Sequence, residues 1–141
     1  MPKTMAEKII SGAATYRTIK GQTEWFLIKS QTSDKWELPK GMTRTGESSV
    51  AAILRFLREN TGLKVTVIEE AGRAGSSEAR LIFYLVRGES GGMDGPVFIE
   101  GTWFTYSLAR RRLSLIREQR VLGQANMVLR KWQKKNGNRS H

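Results

Sequence analysis

Residues 41–63 read GMTRTGESSVAAILRFLRENTGL, a glycine-containing segment followed by a segment of helical period. Four apolar side chains in it recur at the i, i+3, i+4, i+7 spacing of one buried face. They are Val50, Ile53, Leu54 and Leu57. Gly62 stands where such a helix would end, because glycine readily adopts the left-handed conformation of a helix stop. The stretch predicts a loop over residues 41–46 and then a helix over residues 47–60.

On both sides of this helix, the sequence predicts strands and further helices. Apolar runs and alternating patterns predict strands over residues 25–28, 36–38, 64–68, 80–86 and 97–104. The glycine-rich residues 88–95 are predicted to form a loop. Helical periodicity returns in residues 107–113 and 117–135. Interleaved strands and helices predict an α/β protein with a mixed sheet and helices on both of its faces.

Composition narrows the class of protein. The chain of 141 residues has 39% apolar and 26% charged residues, which is typical of one globular domain. It has no cysteine, which excludes disulfides and thiolate chemistry. The apolar runs are too short to span a membrane, so we expect a cytoplasmic protein. We expect one domain over residues 1–136, ending in a basic helix, and a disordered tail over residues 137–141.

The charge is concentrated near the end of the sequence. The formal net charge is +11, and residues 110–141 hold ten basic side chains and one acidic side chain. A basic segment attracts polyanions, so it predicts a nucleotide, polyphosphate or RNA partner. The alternative is a solvated basic helix whose charge only aids solubility. The sequence leaves the oligomeric state open.

The residue types of positions 41–63, and the spacing between them, resemble the Nudix box. That box is Gly, five residues, Glu, seven residues, then Arg-Glu-U-x-Glu-Glu-x-Gly-U, where U is bulky and apolar. Seven of its nine fixed positions carry the family's residue here. They are Gly41, Glu47, Arg55, Leu57, Glu59, Gly62 and Leu63. The resemblance spans roughly residues 8–133, and residues 39–41 are similar to those of the family's diadenosine-polyphosphate hydrolases. It implies a Nudix-like α/β/α sandwich.

Two positions depart from the box, and both lie where the family carries acids. Phe56 replaces the glutamate after the box arginine, and Asn60 replaces the second glutamate of the Glu-Glu pair. Residues 56, 59 and 60 are three and four positions apart, so they share one helix face. The spacing predicts that the Phe56 ring points toward the groove along that face, where it would displace water and remove the carboxylate of a complete box. The alternative is that Phe56 has become part of the core.

The missing acids matter because of the chemistry that the resemblance implies. Cleavage of a pyrophosphate develops negative charge that hard divalent cations neutralise, and such cations prefer oxygen ligands. The family would place Mg²⁺ or Mn²⁺ on the carboxylates of this helix. The ligands that this chain can offer there are Glu59, Glu47 and Asn60. We therefore expect weak metal binding centred on Glu59.

The resemblance also assigns roles to other residues. Glu47 would brace the loop or reach the metal, and Arg55 would pair with it. Glu100 on a late strand would supply a carboxylate from outside the box, as could Glu37. Phosphate contacts fall to residues within or beside the loop. They are Lys40, Gly41 and Arg44.

Three hypotheses for the function follow. The first is a Nudix-type hydrolase of a nucleoside diphosphate linked to another moiety, such as a dinucleoside polyphosphate, with impaired catalysis. Its catalytic residues would be Glu59, Glu47, Arg55 and Glu100. The second is a catalytically inactive Nudix module that binds a nucleotide, polyphosphate or RNA. The third is a domain that binds a protein partner.

Overall fold

The structure is a computed structural model that describes residues 8–29, 34–75, 79–93 and 99–136, without the side chains of residues 90–93. The described strands and helices are, in chain order, β1 (Lys8–Ile19), β2 (Gln22–Lys29), β3 (Trp36–Glu37), β4 (Lys40–Met42), α1 (Ser49–Thr61), β5 (Leu63–Gly75), β6 (Ala79–Met93), β7 (Gly101–Thr105), α2 (Tyr106–Arg112) and α3 (Ile116–Asn136). The tail predicted over residues 137–141 lies outside the described residues.

The strands form one mixed sheet. Its main path runs β3-β2-β1-β6-β5, with β4 paired to β1 and β7 paired to β2. β1 and β6 are parallel, whereas the other pairs are antiparallel. The predicted mixed sheet is therefore confirmed.

Helices cover both faces of the sheet. Successive residues of a strand point to opposite faces, and the two faces of β1 belong to different apolar clusters. Ala13 packs with Ile53 and Leu57 of α1, whereas Ala14 packs with Leu122 and Leu129 of α3. The chain is thus an α/β/α sandwich, as the sequence predicts, and α1 and α3 lie on opposite sides of it.

Local signals define both ends of α1. The hydroxyl oxygen of Ser48 accepts a hydrogen bond of 3.0 Å from the Ala51 N–H, which caps the first turn. Gly62 ends the helix in the left-handed conformation, with φ 70°. The predicted helix is confirmed, and it begins at Ser49 rather than at position 47 because Ser48 is its cap. The predicted loop over residues 41–46 is wrong at Gly41 and Met42, which belong to β4 because they pair with β1.

The predicted loop over residues 88–95 is wrong as far as Met93, because β6 continues to that residue. β5 continues alongside it, and the pairs Val65↔Gly88 and Leu63↔Met93 extend the antiparallel ladder. Backbone pairing here overrides the local preference of glycine for turns. A Cβ atom at Gly88 would lie 3.1 Å from the Trp103 ring, so the absence of a side chain at Gly88 also leaves room for that ring. Positions 94 and 95 lie outside the described residues.

Within the described ranges, no helix is both long and apolar enough to cross a membrane.

Candidate functional site

The loop before α1 is held by an ion pair between Glu47 and Arg55. Arg55 donates from Nε to Oε2 of Glu47 at 2.8 Å and from Nη2 to Oε1 at 3.0 Å. Both side chains are mostly shielded from solvent, with exposures of 13% for Arg55 and 15% for Glu47. This two-point geometry is the strongest arrangement of a guanidinium and a carboxylate.

The same two side chains fasten the loop to its neighbours. The Arg44 N–H donates to Oε1 of Glu47 at 2.9 Å, and Arg55 Nη2 also donates to the Met42 carbonyl at 2.9 Å. These contacts connect β4, the loop and the middle of α1. The structure thus brings Glu47 and Arg55 together in the arrangement that loop bracing requires.

The hydrogen bonds from Arg55, followed by the one from the Arg44 N–H, hold the pKa of the Glu47 carboxyl at about 2. The same pair raises the pKa of the Arg55 guanidinium above its ordinary value. Glu47 is therefore an anion at neutral pH, and its two oxygens are already engaged by protein donors.

Glu59 lies on the exposed side of α1 between two arginines. Its Oε1 is 3.5 Å from Arg44 Nη2 and 3.7 Å from Arg55 Nη1. Glu59 is 45% exposed and Arg44 is 64% exposed, so both remain accessible to a ligand. The loop and the helix together present one accessible carboxylate beside one accessible guanidinium.

Of the two alternatives for Phe56, the structure supports packing: the side chain lies under Gly41, at the β4 end of the loop, and not open in the groove. It is partly buried and contacts the apolar clusters around Leu57 and around Phe26. A Cβ atom at Gly41 would lie 2.7 Å from the Phe56 ring. The ring needs the space that glycine leaves, so Gly41 is required by packing, whatever it contacts in a ligand.

Asn60 is tied to its own helix. Its Nδ2 donates to the Phe56 carbonyl at 3.0 Å, and its backbone carbonyl accepts from the Ile99 N–H at 3.1 Å. The second contact brings the segment before β7 against the end of α1. Glu100 follows Ile99 there and its side chain is exposed, so it lies near the C-terminal end of the box helix.

The Lys40 ammonium is bound by three acceptors within the protein. It donates to Glu37 at 3.2 Å, to the Leu38 carbonyl at 3.0 Å and to Oε2 of Glu118 at 2.5 Å. These three acceptors account for its three protons. The predicted phosphate contact would therefore require Lys40 to leave a network that already satisfies it.

Sequence reasoning missed Glu118. This residue in the first turn of α3 is fully buried, and its Oε1 accepts the Leu38 N–H at 2.8 Å. It is the one acid among the ten basic residues of positions 110–141, which is the signal that could have singled it out. Glu118 thus joins α3 to residues 38–40, the lead-in segment before the loop.

The described residues do not assemble a cluster suited to several divalent ions. Among them, no group of three or more His, Cys, Asp or Glu residues is placed to hold a metal. Glu47 is engaged by Arg55, and Phe56 has no ligand atom. The donor set on the box helix is the Glu59 carboxylate with the amide oxygen of Asn60, which fits a single weakly held ion.

The protein is an α/β/α sandwich. Its candidate site consists of the loop before α1, which the Glu47–Arg55 pair holds, and the exposed face of α1. A family model of the NUDIX domain matches residues 11–122, and the chain belongs to that family. Nudix hydrolases generally use divalent metal ions. A comparison with curated proteins found no match.

Solved structures agree with the family. The C. elegans Ap4A hydrolase in a binary complex superposes with a TM-score of 0.74 at 16% identity, covering 87% of this chain and 98% of that one. The E. coli ORF135 protein gives 0.62 at 23% identity, with coverages of 88% and 92%. The NUDIX domain of Shewanella oneidensis NrtR, in complex with ADP ribose, gives 0.67 at 15% identity, with coverages of 89% and 90%. Because these identities are below 25%, the structural likeness shows the fold alone.

Proposed function

We propose that the chain is a Nudix-type hydrolase of a nucleoside diphosphate linked to another moiety, with weakened catalysis. The observation that carries this proposal is the contrast between two halves of the box. The brace between Glu47 and Arg55 is complete, whereas Glu59 is the only carboxylate at the three acidic positions of the helix face. The Glu47–Arg55 pair holds a phosphate-binding loop in shape. The loss of two helical acids limits metal binding, and therefore hydrolysis.

In this proposal, Arg44 binds the phosphates and Glu59 acts as the general base. The exposed guanidinium of Arg44 lies beside the loop, where it neutralises charge on the phosphate oxygens. Glu59 accepts a proton from water as that water attacks phosphorus, and the bond from phosphorus to the bridging oxygen breaks. Glu100 supplies a second carboxylate near the end of α1. Lys40 positions the lead-in segment rather than binding phosphate directly.

The proposed rate is low for a physical reason. Divalent ions stabilise the negative charge that develops on the phosphate oxygens, and a helix face with fewer carboxylates holds such ions less tightly. Mg²⁺ or Mn²⁺ would be held by Glu59 and Asn60, with Glu47 able to join only if it releases Arg55. Losing two of three helical acids therefore slows hydrolysis without removing the fold that binds the nucleotide.

The test is a hydrolysis panel with wild type and Glu59→Gln. ADP ribose and diadenosine tetraphosphate are suitable substrates, because relatives of this fold are an Ap4A hydrolase and a domain complexed with ADP ribose. We expect slow, metal-dependent product formation that Glu59→Gln abolishes. Glu70→Gln is the matched control, since Glu70 is also an exposed acid paired with an arginine, on β5. Equal rates in wild type and Glu59→Gln across the panel would reject the proposal.

A second candidate is an inactive Nudix module that binds a nucleotide, polyphosphate or RNA. Two observations favour it: Phe56 fills space beneath the loop, and residues 110–141 carry ten basic residues against one acidic residue. Two results together would favour this candidate over the hydrolase. Calorimetry would show that wild type and Glu59→Gln bind the ligand with equal affinity, and neither protein would form product from any substrate. Loss of that binding at moderate salt would show that the contact is electrostatic, and retention of the salt-sensitive binding in Arg44→Gln would favour the basic segment.

A further inference from the structure

An open cleft of about 570 Å³ lies between β5 and the second half of α3. Its size is within the range of about 300–1,000 Å³ that is usual for ligand sites. Six residues line it, namely Glu69, Val128, Lys131, Trp132, Lys134 and Lys135. The cleft lies on the α3 side of the sheet, whereas Glu47, Glu59 and Arg44 belong to the α1 side.

The helix presents one continuous face to this cleft. Val128 precedes Lys131 and Trp132 by three and four residues, and Lys135 follows them by four and three, so the four side chains share one face of α3. Trp132 is half-buried and packs against the apolar cluster of that side. The Arg87 guanidinium lies 5.9 Å from the centre of the Trp132 ring. A fixed indole is thus held among cations.

The cleft is strongly cationic. Lys131, Lys134 and Lys135 are exposed, and Arg87 adds a fourth positive charge at the tryptophan. Glu69 is the one acid among the lining residues and sits on the strand side. Three further basic residues of α3 are exposed, two near the start of the helix and one next to Lys131 in the sequence. They are Arg117, Arg120 and Arg130.

We propose that this cleft binds single-stranded nucleic acid, with one base stacked on Trp132 and the flanking phosphates bound by Lys131 and Lys135. Aromatic rings with nearby cations are the usual means of holding an unpaired base and its backbone. Glu69 lines the same cleft, and its carboxylate is a hydrogen-bond acceptor of the kind that a base amino group needs. Lys131 precedes Trp132 on the helix and Lys135 follows it, so the two can contact phosphates on both sides of a stacked base, which favours a polymer over a free mononucleotide.

This inference rests on the binding-module candidate, because both require an anionic ligand at the basic segment. It does not rest on hydrolysis. Inorganic polyphosphate shares the charge of the nucleic acid but has no base to stack. The role of Trp132 therefore separates the two ligands.

The first experiment measures anisotropy of a labelled mixed-sequence RNA of roughly 12 nucleotides. Trp132→Leu should weaken RNA affinity about tenfold and leave polyphosphate affinity unchanged, while Trp132→Phe should retain most RNA affinity. The control is Trp36→Leu, a half-buried tryptophan on β3 at the other edge of the sheet, which should bind RNA like wild type. A duplex of the same sequence should show no dependence on Trp132.

The second arm tests the lysines. Lys131→Gln with Lys135→Gln should reduce the slope of log affinity against log salt by about 0.7 for each lysine. Lys20→Gln with Arg58→Gln removes the same charge from exposed positions on the β1–β2 turn and on α1. That control should lower the slope by clearly less.

A third arm needs no substitution and decides the matter if a variant fails to fold. RNA carrying 5-iodouridine is crosslinked to wild type, and the peptide is identified by mass spectrometry. A crosslink within residues 128–135 supports the cleft. Crosslinks confined to residues 40–60, or equal RNA affinity in Trp132→Leu and Trp36→Leu, would overturn it while leaving the binding module standing. Absence of RNA binding at low salt would reject the cleft proposal, and only the further absence of nucleotide and polyphosphate binding would reject the binding module.

Discussion

At the scale of single residues, the site depends on which carboxylates are already engaged. Glu47 and Glu59 both lie near Arg55, yet only Glu47 forms two hydrogen bonds with it, at 2.8 and 3.0 Å. Glu59 stays 3.7 Å from the nearest arginine nitrogen of Arg55 and remains accessible. The geometry therefore separates a bracing acid from an acid that can meet a ligand. Two predictions follow from that division.

The first concerns pH. Because the folded-state pKa of Glu47 is depressed to about 2, below its ordinary value of 4.5, its stabilising effect is complete above that ordinary value and is lost as pH falls toward about 2. Glu47→Gln removes this titration. The melting temperature of wild type should exceed that of the variant at pH 6, and the gap should close between about pH 4.5 and about pH 2. A gap that stays constant over this range would contradict the assigned pKa.

The second concerns metal binding. Glu59 is the accessible carboxylate of the helix face, so Glu59→Gln should reduce affinity for Mg²⁺ or Mn²⁺ at least several-fold, as measured by isothermal titration. Glu70→Gln removes an equal charge on β5 and should leave the titration unchanged. Equal metal affinity in wild type and Glu59→Gln would mean that the ion binds elsewhere.

At the scale of elements, α1 shows how far sequence reasoning extends. Its cap, its glycine stop and its buried face are local properties, and the sequence predicts the helix, its end and its apolar stripe correctly. The direction of Phe56 is not local. It depends on Gly41 of β4 lying against the helix and on Phe26 of β2 reaching the same cluster. Helical period alone therefore places this ring in the groove, whereas tertiary packing places it under the loop.

The same limit explains the strands. The extension of β6 through Gly88 to Met93 depends on β5 running beside it, and a glycine-rich segment gives no local sign of that pairing. The parallel pairing of β1 with β6 joins residues about seventy positions apart, such as Ile10 and Leu81. The class of fold follows from the order of elements, but their register needs contacts that no local pattern encodes.

A third prediction tests the packing of Phe56. Phe56→Glu removes apolar contacts beneath the loop and places a charge there, so it should destabilise the protein by about 3 kcal/mol in urea unfolding. Ala51→Glu adds the same residue at an exposed position of the same helix and should change stability by less than about 0.5 kcal/mol. Equal effects of the two changes would mean that the ring is not packed.

This packing also bears on restoring the box. The double change Phe56→Glu with Asn60→Glu rebuilds three helical acids, and the sequence alone favours it as a route to faster hydrolysis. The cost of Phe56→Glu in stability makes Asn60→Glu the better single change, since it adds a carboxylate beside Glu59 and leaves the ring in place. A gain in Mg²⁺ affinity for Asn60→Glu, with an unchanged melting temperature, is the expected result.

At the scale of the whole molecule, the positive charge and the candidate site are connected through one buried acid. Residues 110–141 supply most of the net charge, and their single acid, Glu118, faces inward rather than toward solvent. It binds the Leu38 N–H and the Lys40 ammonium, about eighty positions earlier in the chain. The count of charges is visible in the sequence, but this pairing is not, because it forms only when α3 docks on the sheet.

The last prediction measures that connection. Removing one partner of a buried ion pair leaves the other charged and unpaired, at a cost of about 3–5 kcal/mol. Lys40→Met alone should therefore destabilise the chain strongly. Lys40→Met with Glu118→Gln should recover much of the loss, because glutamine is neutral and still accepts the Leu38 N–H. A double-mutant cycle in urea gives the coupling, and a matching cycle on the exposed Glu70–Arg73 pair should give less than about 1 kcal/mol. If the two cycles give equal couplings, Glu118 does not hold the lead-in segment, and α3 and the loop before α1 are energetically independent.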